Sequence, residues 1–412
     1  MSEVSAATGP AARLPTSESQ TSLRELALLF LKLGTIAFGG PAAHIGMMED
    51  EVVRRRHWLT REQFLDYVGA TNLIPGPNST ELAIHIGLAR RGWRGLVVAG
   101  ICFILPAALI VGVIARAYVR FGKLPAAQGI LYGIKPVVIA VVIQALWGLS
   151  RSAVKSRWLA VLGIVSVAAV ALGANELAVL AGAAATAVVG TIIKRRSAPT
   201  TAPTEGGDLS ARLPFSMLKA GSTAVAAGVS AVAAPFSLIK LFLVFLKIGA
   251  VLFGSGYVLL AFLRADLVQG LGWLTERQLL DAVAVGQVTP GTVFTTATFI
   301  GYVLGRAPGA IAATVGIFLP SFVFVAISGP LVPRIRRSPL ASAALDGVNV
   351  ASLALMVVVA VQLARAALVD PLAIFLGLAS AILLLRFRVN SAWLVIAGAA
   401  IGLFANARFI QR

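Results

Sequence analysis

The chain carries the same message twice. Phe30-Leu-Lys-Leu-Gly-Thr-Ile-Ala-Phe-Gly39 returns as Phe245-Leu-Lys-Ile-Gly-Ala-Val-Leu-Phe-Gly254, and Trp58-Leu-Thr-Arg-Glu-Gln-Phe-Leu-Asp66 returns as Trp273-Leu-Thr-Glu-Arg-Gln-Leu-Leu-Asp281. Pro75-Gly76 returns as Pro290-Gly291 at the same spacing, 215 residues. After a one-residue gap Gly87 matches Gly301, Gly95 matches Gly309, and Phe103-Ile-Leu-Pro106 matches Ile317-Phe-Leu-Pro320. Apolar stretches resemble one another by chance, but chance does not keep Trp, Lys, Asp and Pro in register across such a distance. Whatever one half folds into, the other repeats.

The material between these landmarks is apolar. Of 412 residues 58% are hydrophobic and only 13% charged, about half the usual share for soluble domains. A net charge of +18 invites a nucleic-acid reading, but the basic residues fall in short clusters between long apolar runs. That is the pattern of membrane loops, and it excludes a nucleic-acid partner. The runs number about ten at roughly 20 residues per span, so the bilayer itself is a partner. Residues 1–20 are polar, lack the basic and apolar regions of a signal peptide, and are expected to be disordered. Cys102 is the sole cysteine, so no internal disulfide and no cysteine metal site is available, and no cofactor is expected.

The halves run over residues 21–195 and 236–412, joined by a linker at 196–235 whose first part is rich in Pro, Thr and Gly. Each half holds an apolar helix broken near its end: at Gly39-Gly40-Pro41 in the first and Gly254-Ser255-Gly256 in the second. Each then has two short segments either side of a proline break, Pro75-Gly76-Pro77 and Pro290-Gly291-Thr292. These segments are too short to span, and they predict a re-entrant hairpin of two half-helices. Five spans plus such a hairpin make an odd number of crossings, so the second half enters the bilayer inverted. The fold class expected is an all-α polytopic membrane protein of two inverted-topology repeats. Charge agrees: the loops at 47–61, 90–94 and 151–157 carry Arg54, Arg55, Arg56, Arg61, Arg90, Arg91, Arg94, Arg151, Lys155 and Arg157, against only Arg264, Arg277, Arg306 and Arg365 in their counterparts. The opposite loops reverse the bias, with Arg116, Arg120 and Lys123 against Arg334, Arg336, Arg337, Arg386 and Arg388. Positive residues mark the cytoplasmic side, which puts the linker inside and both termini outside.

Inverted repeats with broken helices place binding sites where the breaks meet, and half-helix N-termini favour anions. The candidate substrate-binding positions are therefore Gly39, Gly40, Pro41, Pro75, Gly76, Pro77, Asn78, Gly254, Ser255, Pro290, Gly291 and Thr292. Lys32 and Lys247 are symmetry mates inside apolar runs, so they either face a dianion in one cavity or snorkel to a helix end. Lys135 is a third intramembrane lysine, and its counterpart is Asn349. Glu81, with His85 one turn on, and His44, whose counterpart is Leu259, are the groups suited to moving protons.

Phe38-Gly-Gly-Pro-Ala-Ala-His44, Trp58-Leu-Thr60, Pro75-Gly-Pro77, Gly87 and Phe103-Ile-Leu-Pro106, with their echoes, resemble the chromate ion transporter family in its long two-domain form. The resemblance implies export of chromate from the bacterial cytoplasm across the inner membrane, driven by proton-motive force, with protons as partners. It implies that Gly39, Gly40, Pro41, Pro75, Gly76 and Pro77 form the functional core. The second half departs from the pattern: Ser255-Gly256 replaces Gly-Pro, and Thr292 replaces the second proline. Two other readings stay open: a transporter of sulfate or another tetrahedral oxyanion, and a membrane-embedded lipid-pyrophosphate phosphatase. A homodimer is compatible with all three. The charge pattern makes a direct prediction: reporter fusions placed in the Arg54–Arg56 and Arg334–Arg337 loops should report the same side of the membrane, and opposite sides would refute the orientation.

Overall fold

Caps and helix breakers cut the apolar runs into the elements of the computed structural model, which describes residues 21–37, 40–122, 124–196, 235–253, 258–328, 338–387 and 389–410. The N-terminal stretch 1–20, most of the linker, Gly39, Gly254, Ser255, Arg334, Arg336, Arg337 and Arg388 lie outside the described residues. Among those described, every regular element is a helix. The first half contains α1 (Leu23–Ile36), α2 (Gly40–Glu49), a π-helical turn (Asp50–Arg55), α3 (Arg61–Thr71), α4 (Asn78–Phe121), α5 (Pro125–Ala153), α6 (Arg157–Ala171) and α7 (Glu176–Arg196). The second half repeats the order: α8 (Leu238–Val251), α9 (Leu259–Leu263), a π-helical turn (Arg264–Gly270), α10 (Glu276–Val288), a 3-10 turn (Val293–Thr295), α11 (Thr296–Ser328), α12 (Pro339–Ala367), α13 (Pro371–Arg386) and α14 (Ser391–Ile410). Five of the described helical stretches are long and apolar enough to cross a membrane, the chemistry of an all-α polytopic membrane protein.

The duplicated motifs have local physical reasons. Trp58-Leu-Thr60 and Trp273-Leu-Thr275 start α3 and α10 with a capping box. Thr60 accepts from the Gln63 N–H at 3.2 Å while the Gln63 side chain accepts from the Thr60 N–H at 3.0 Å, and Thr275 and Gln278 do the same. Each tryptophan N–H closes the preceding π-helical turn, onto Val52 in one half and Leu267 in the other. The turn before each tryptophan needs a positive φ, supplied by His57 (φ 51°) and Gly272 (φ 62°). One ion pair even survives with its charges exchanged: Arg61 to Glu49 in the first half (3.8 Å), Glu276 to Arg264 in the second (2.6 Å).

The long helices α4 and α11 are not straight rods. Arg91 (φ −142°, ψ 22°) and Gly92 (φ 59°, ψ −148°) leave helical geometry inside α4, and Gly305 (φ −132°, ψ 18°) and Arg306 (φ 56°, ψ −148°) do so inside α11. A Cβ on Gly87 would collide with the Gly95 carbonyl, and one on Gly301 with the Gly309 carbonyl. Residues eight apart in a straight helix lie about 12 Å apart, so contact means that the chain doubles back. Each element is thus a short arm (78–90, 296–304) folded against a long one (93–121, 307–328). The Thr298–Thr314 hydroxyl contact at 2.7 Å joins the two arms of α11. The loop expected at 90–94 is reduced to this two-residue reversal, because glycines let the arms meet backbone to backbone.

The halves are interlocked. α5 packs against α13 and α14, α12 packs against α6 and α7, and α4 meets α11. Each half thereby completes its neighbour's bundle. At the crossings Gly133 lies against Gly398, and Gly347 against Ala183, again because no Cβ intervenes. The reversal geometry makes a prediction. Arg306 holds a φ,ψ combination that suits glycine, the residue its counterpart Gly92 supplies. Arg306→Gly should stabilise the protein by about 1–3 kcal/mol, and Gly92→Arg should destabilise it, read as thermal midpoints in detergent.

Candidate functional site

A helix broken at membrane depth leaves backbone groups without partners, and they must be satisfied by protein or water. Here each half satisfies the other. α1 ends at Ile36, and the carbonyl of the following Ala37 accepts from the Gly291 N–H at 2.8 Å. α8 ends at Val251, and the carbonyl of the following Leu252 accepts from the Gly76 N–H, also at 2.8 Å. Each proline loop therefore reaches across to the broken helix of the opposite half. Both glycines have positive φ, 139° at Gly76 and 91° at Gly291. Both are also packed too closely for a side chain. A Cβ at Gly76 would meet Glu81 Oε1 and Ser321 Oγ, the latter at 2.6 Å, and one at Gly291 would meet Ala107 Cβ at 2.6 Å. The break in the first helix is shorter than expected, since Gly40 and Pro41 already form the first turn of α2.

His44 ties this junction to the next one. Its Nε2 donates to the same Ala37 carbonyl at 3.0 Å, which leaves Nδ1 to accept from the Ser79 hydroxyl at 3.2 Å. The ring is buried and packs edge-on to Phe103. One carbonyl thus joins the end of α1, the α2 imidazole and the loop of the other half.

Around the Pro75–Pro77 loop stand polar groups that lack a well-formed hydrogen bond among the described residues. Glu81 is fully buried on the short arm of α4, with the Ser321 hydroxyl facing its carboxylate and no well-formed hydrogen bond to either oxygen among the described residues. The same holds for the hydroxyls of Thr80 and Ser321, and for Nε2 of His85, whose ring stacks on Tyr67 at 5.6 Å. Thr296 Oγ1, where the second half-helix begins, is likewise buried and unpaired. Such orphans are rare in native proteins and mark places where water, an ion or a substrate belongs. Ser321 escaped the sequence reading. Its signal is the residue after the duplicated Leu-Pro, which is Ser321 in one half and Ala107 in the other.

Other predicted residues lie elsewhere. Lys32 donates to Glu51 at 2.7 Å, and Lys247 pairs with Asp266, its exact repeat counterpart in partner as well as position. Both lysines are about half exposed, and each acid sits on the π-helical turn of its own half. The Lys32 ammonium holds the Glu51 carboxyl below the usual carboxylate range, against its burial and with help from Arg56. The lysines are thus neutralised in place rather than presented bare to an anion. Asn78 turns its amide to Asn72 at 2.7 Å, and Thr292 caps the 3-10 turn through the Phe294 N–H. Pro290 is buried beside Gly291, and Pro77 is buried as the residue before α4. Gly39, Gly254 and Ser255 lie outside the described residues.

The Gly76 contacts make a prediction. Gly76→Ala should destabilise the protein by about 1–3 kcal/mol through strained φ and the two oxygen contacts. Adding Ser321→Ala should recover only part of the loss, because φ and Glu81 remain; thermal melts of the purified variants check both.

Comparison with known proteins fits this duplicated architecture. The family described as Chromate transporter matches residues 24–190 and again 239–403. The chain is 33% identical to a chromate transport protein of Cupriavidus metallidurans over 93% of both chains. It is 30% identical to the chromate transport protein of Pseudomonas aeruginosa over 84% of this chain and 82% of that one. A probable chromate transport protein of Synechococcus elongatus is 28% identical over 87% and 88%. No solved structure matches the chain. With two matches to one family description, one in each half, and relatives aligned almost end to end, the chain belongs to the chromate transporter family.

Proposed function

We propose that this membrane protein exports chromate, or a related tetrahedral dianion, from the bacterial cytoplasm across the inner membrane by alternating access, using proton-motive force. The observation that carries this reading is the reciprocal pair of hydrogen bonds, Gly76 to Leu252 and Gly291 to Ala37, with the buried polar groups of Thr80, Glu81 and Ser321 gathered beside the first. Two halves locked at their breaks can rock about that junction. The half-helix starting at Asn78 supplies N–H groups and a positive dipole end to an anion, with the hydroxyls of Thr80 and Ser321 as further donors. Export driven by an inward proton gradient requires proton and anion to exchange: a proton arriving on Glu81 or His44 would weaken the hold on the bound anion and release it, and an anion could rebind only after the proton has left. Protonation of His44 at Nδ1 would turn that nitrogen from acceptor to donor and reverse the sense of its hydrogen bond with the Ser79 hydroxyl, the link between α2 and α4.

Two cavities support alternating access. One, of about 520 Å³, is lined by Gln128, Gly129, Tyr132, Asp370 and Leu372. The other, of about 1190 Å³, is lined by Ser342, Ala343, Asp346, Ser156 and Trp158, which are the repeat counterparts of those five positions. In an inverted pair of halves, such cavities open to opposite sides of the membrane.

The test is flux of labelled chromate into everted membrane vesicles. We expect uptake that rises with an imposed pH gradient, a Glu81→Gln variant whose residual flux ignores the gradient, and competition by sulfate that ranks the two anions. Glu81→Gln flux that follows the gradient as the wild type does would remove Glu81 from the mechanism.

A further inference from the structure

Beneath the smaller cavity lies a charged cluster that the junction does not use. Lys135 of α5 forms an ion pair with Asp281 of α10 at 2.8 Å, and its side chain is only 11% exposed against 3% for the acid. The other carboxylate oxygen of Asp281 accepts from the Tyr118 hydroxyl of α4, also at 2.8 Å. Two of the three groups come from the first half and one from the second. The cavity stands directly above them along both helices. Tyr132, three residues before Lys135 on α5, lines it, and so does Arg277, four residues before Asp281 on α10. Residues at those spacings share a helix face.

We propose that Lys135, Tyr118 and Arg277 form a binding site for a tetrahedral dianion on the exit side of the route, and that the Asp281 carboxylate is its built-in competitor. The inference rests on the transport reading above and adds a second station to the route. A carboxylate only accepts hydrogen bonds, as does an oxyanion, so the donors that now hold Asp281 are donors an oxyanion can use. When a dianion displaces Asp281, it meets two cations, Lys135 and Arg277, and the carboxylate it frees keeps one negative charge in the cluster, which limits how tightly the anion is held. When it leaves, Asp281 neutralises Lys135 again, so the ammonium is never buried alone. A buried ion pair kept merely as glue between halves is poor value, since apolar residues of similar size hold as well or better. The duplication argues the same way: the counterparts of Lys135 and Asp281 are Asn349 and Asp66, so the lysine is present at one end of the molecule only.

The experiment compares wild type, Asp281→Asn, Lys135→Met/Asp281→Asn and Arg277→Gln as full-length proteins. Equilibrium dialysis with chromate measures affinity, and chromate exchange in right-side-out vesicles measures maximal rate and half-saturation from the face on which this cavity opens. With the competitor gone, Asp281→Asn should bind chromate about tenfold more tightly, and the double variant should lose that gain. A pair with a purely structural role predicts unchanged or weaker binding, and that result in folded Asp281→Asn would overturn the proposal. Arg277 is exposed and leaves the buried pair intact, so Arg277→Gln tests the site even if Asp281→Asn does not fold. Its half-saturating chromate concentration should rise about tenfold at unchanged maximal flux, and an unchanged half-saturation would overturn the proposal. Absence of both chromate and sulfate flux in wild-type vesicles would instead sink the transport reading along with this one; wild-type flux with unaltered variants would sink this inference alone.

Discussion

The structure depends on two hydrogen bonds between backbone groups. A helix that stops at membrane depth exposes carbonyls to a medium that cannot solvate them, and a proline loop at the same depth exposes N–H groups. Each defect alone costs several kcal/mol. Paired across the two halves, Gly76 with Leu252 and Gly291 with Ala37, each defect repairs the other. Neither half can do this alone, which gives a physical reason for two halves in one chain. It also explains the glycines: the donor must approach a helix end so closely, and at such a φ, that a Cβ has nowhere to go.

Duplication supplies the scaffold, and divergence supplies the chemistry. The features shared by both halves are those of construction: the capping boxes, the π-helical turns, the lysine–acid pairs, the fold-back arms and the loop-to-helix bonds. The groups that could handle a proton or an anion are not shared. His44 faces Leu259 in the repeat, Ser321 faces Ala107, and Lys135 faces Asn349. A perfectly symmetric pair of halves would offer the substrate the same environment from both sides. Uneven polar groups on an even frame would let the two ends of the proposed route differ in affinity for the anion, while the gradients across the membrane set the direction of net flux.

What could be read from the sequence was whatever the chain states locally. The broken helices, the proline loops and the Trp-Leu-Thr motif are all contiguous signals, whereas Gly87 and Gly95 were legible only as a repeat, and the reversal they allow reads as a loop at 90–94. The acids that neutralise Lys32 and Lys247 were not legible. Glu51 and Asp266 lie 19 residues further on, in π-helical turns whose wider winding shifts side chains off the helical spacing that sequence patterns assume. The partner of Lys135 was hidden for another reason: it lies in the other half, and only the interlocking of α5, α4 and α10 brings Asp281 to it. Ser321 reaches Gly76 by the same crossing. Contacts between halves are where a duplicated sequence says least, because its two copies are read against each other and not as neighbours.

Lysine pairing changes what kind of anion site this molecule can hold. Three intramembrane lysines suggested a basic cavity, yet all three are matched by carboxylates within salt-bridge distance. A cavity of bare cations would hold a dianion too firmly to release it, and would be costly to keep empty in a low-dielectric medium. Donors that are neutral, as at the Thr80–Ser321 junction, or cations already masked by an acid, as at Lys135, avoid both costs. The anion then gains only the difference between its own contacts and those it displaces. A transporter works within such a narrow margin, since each station must be favourable enough to enter and weak enough to leave.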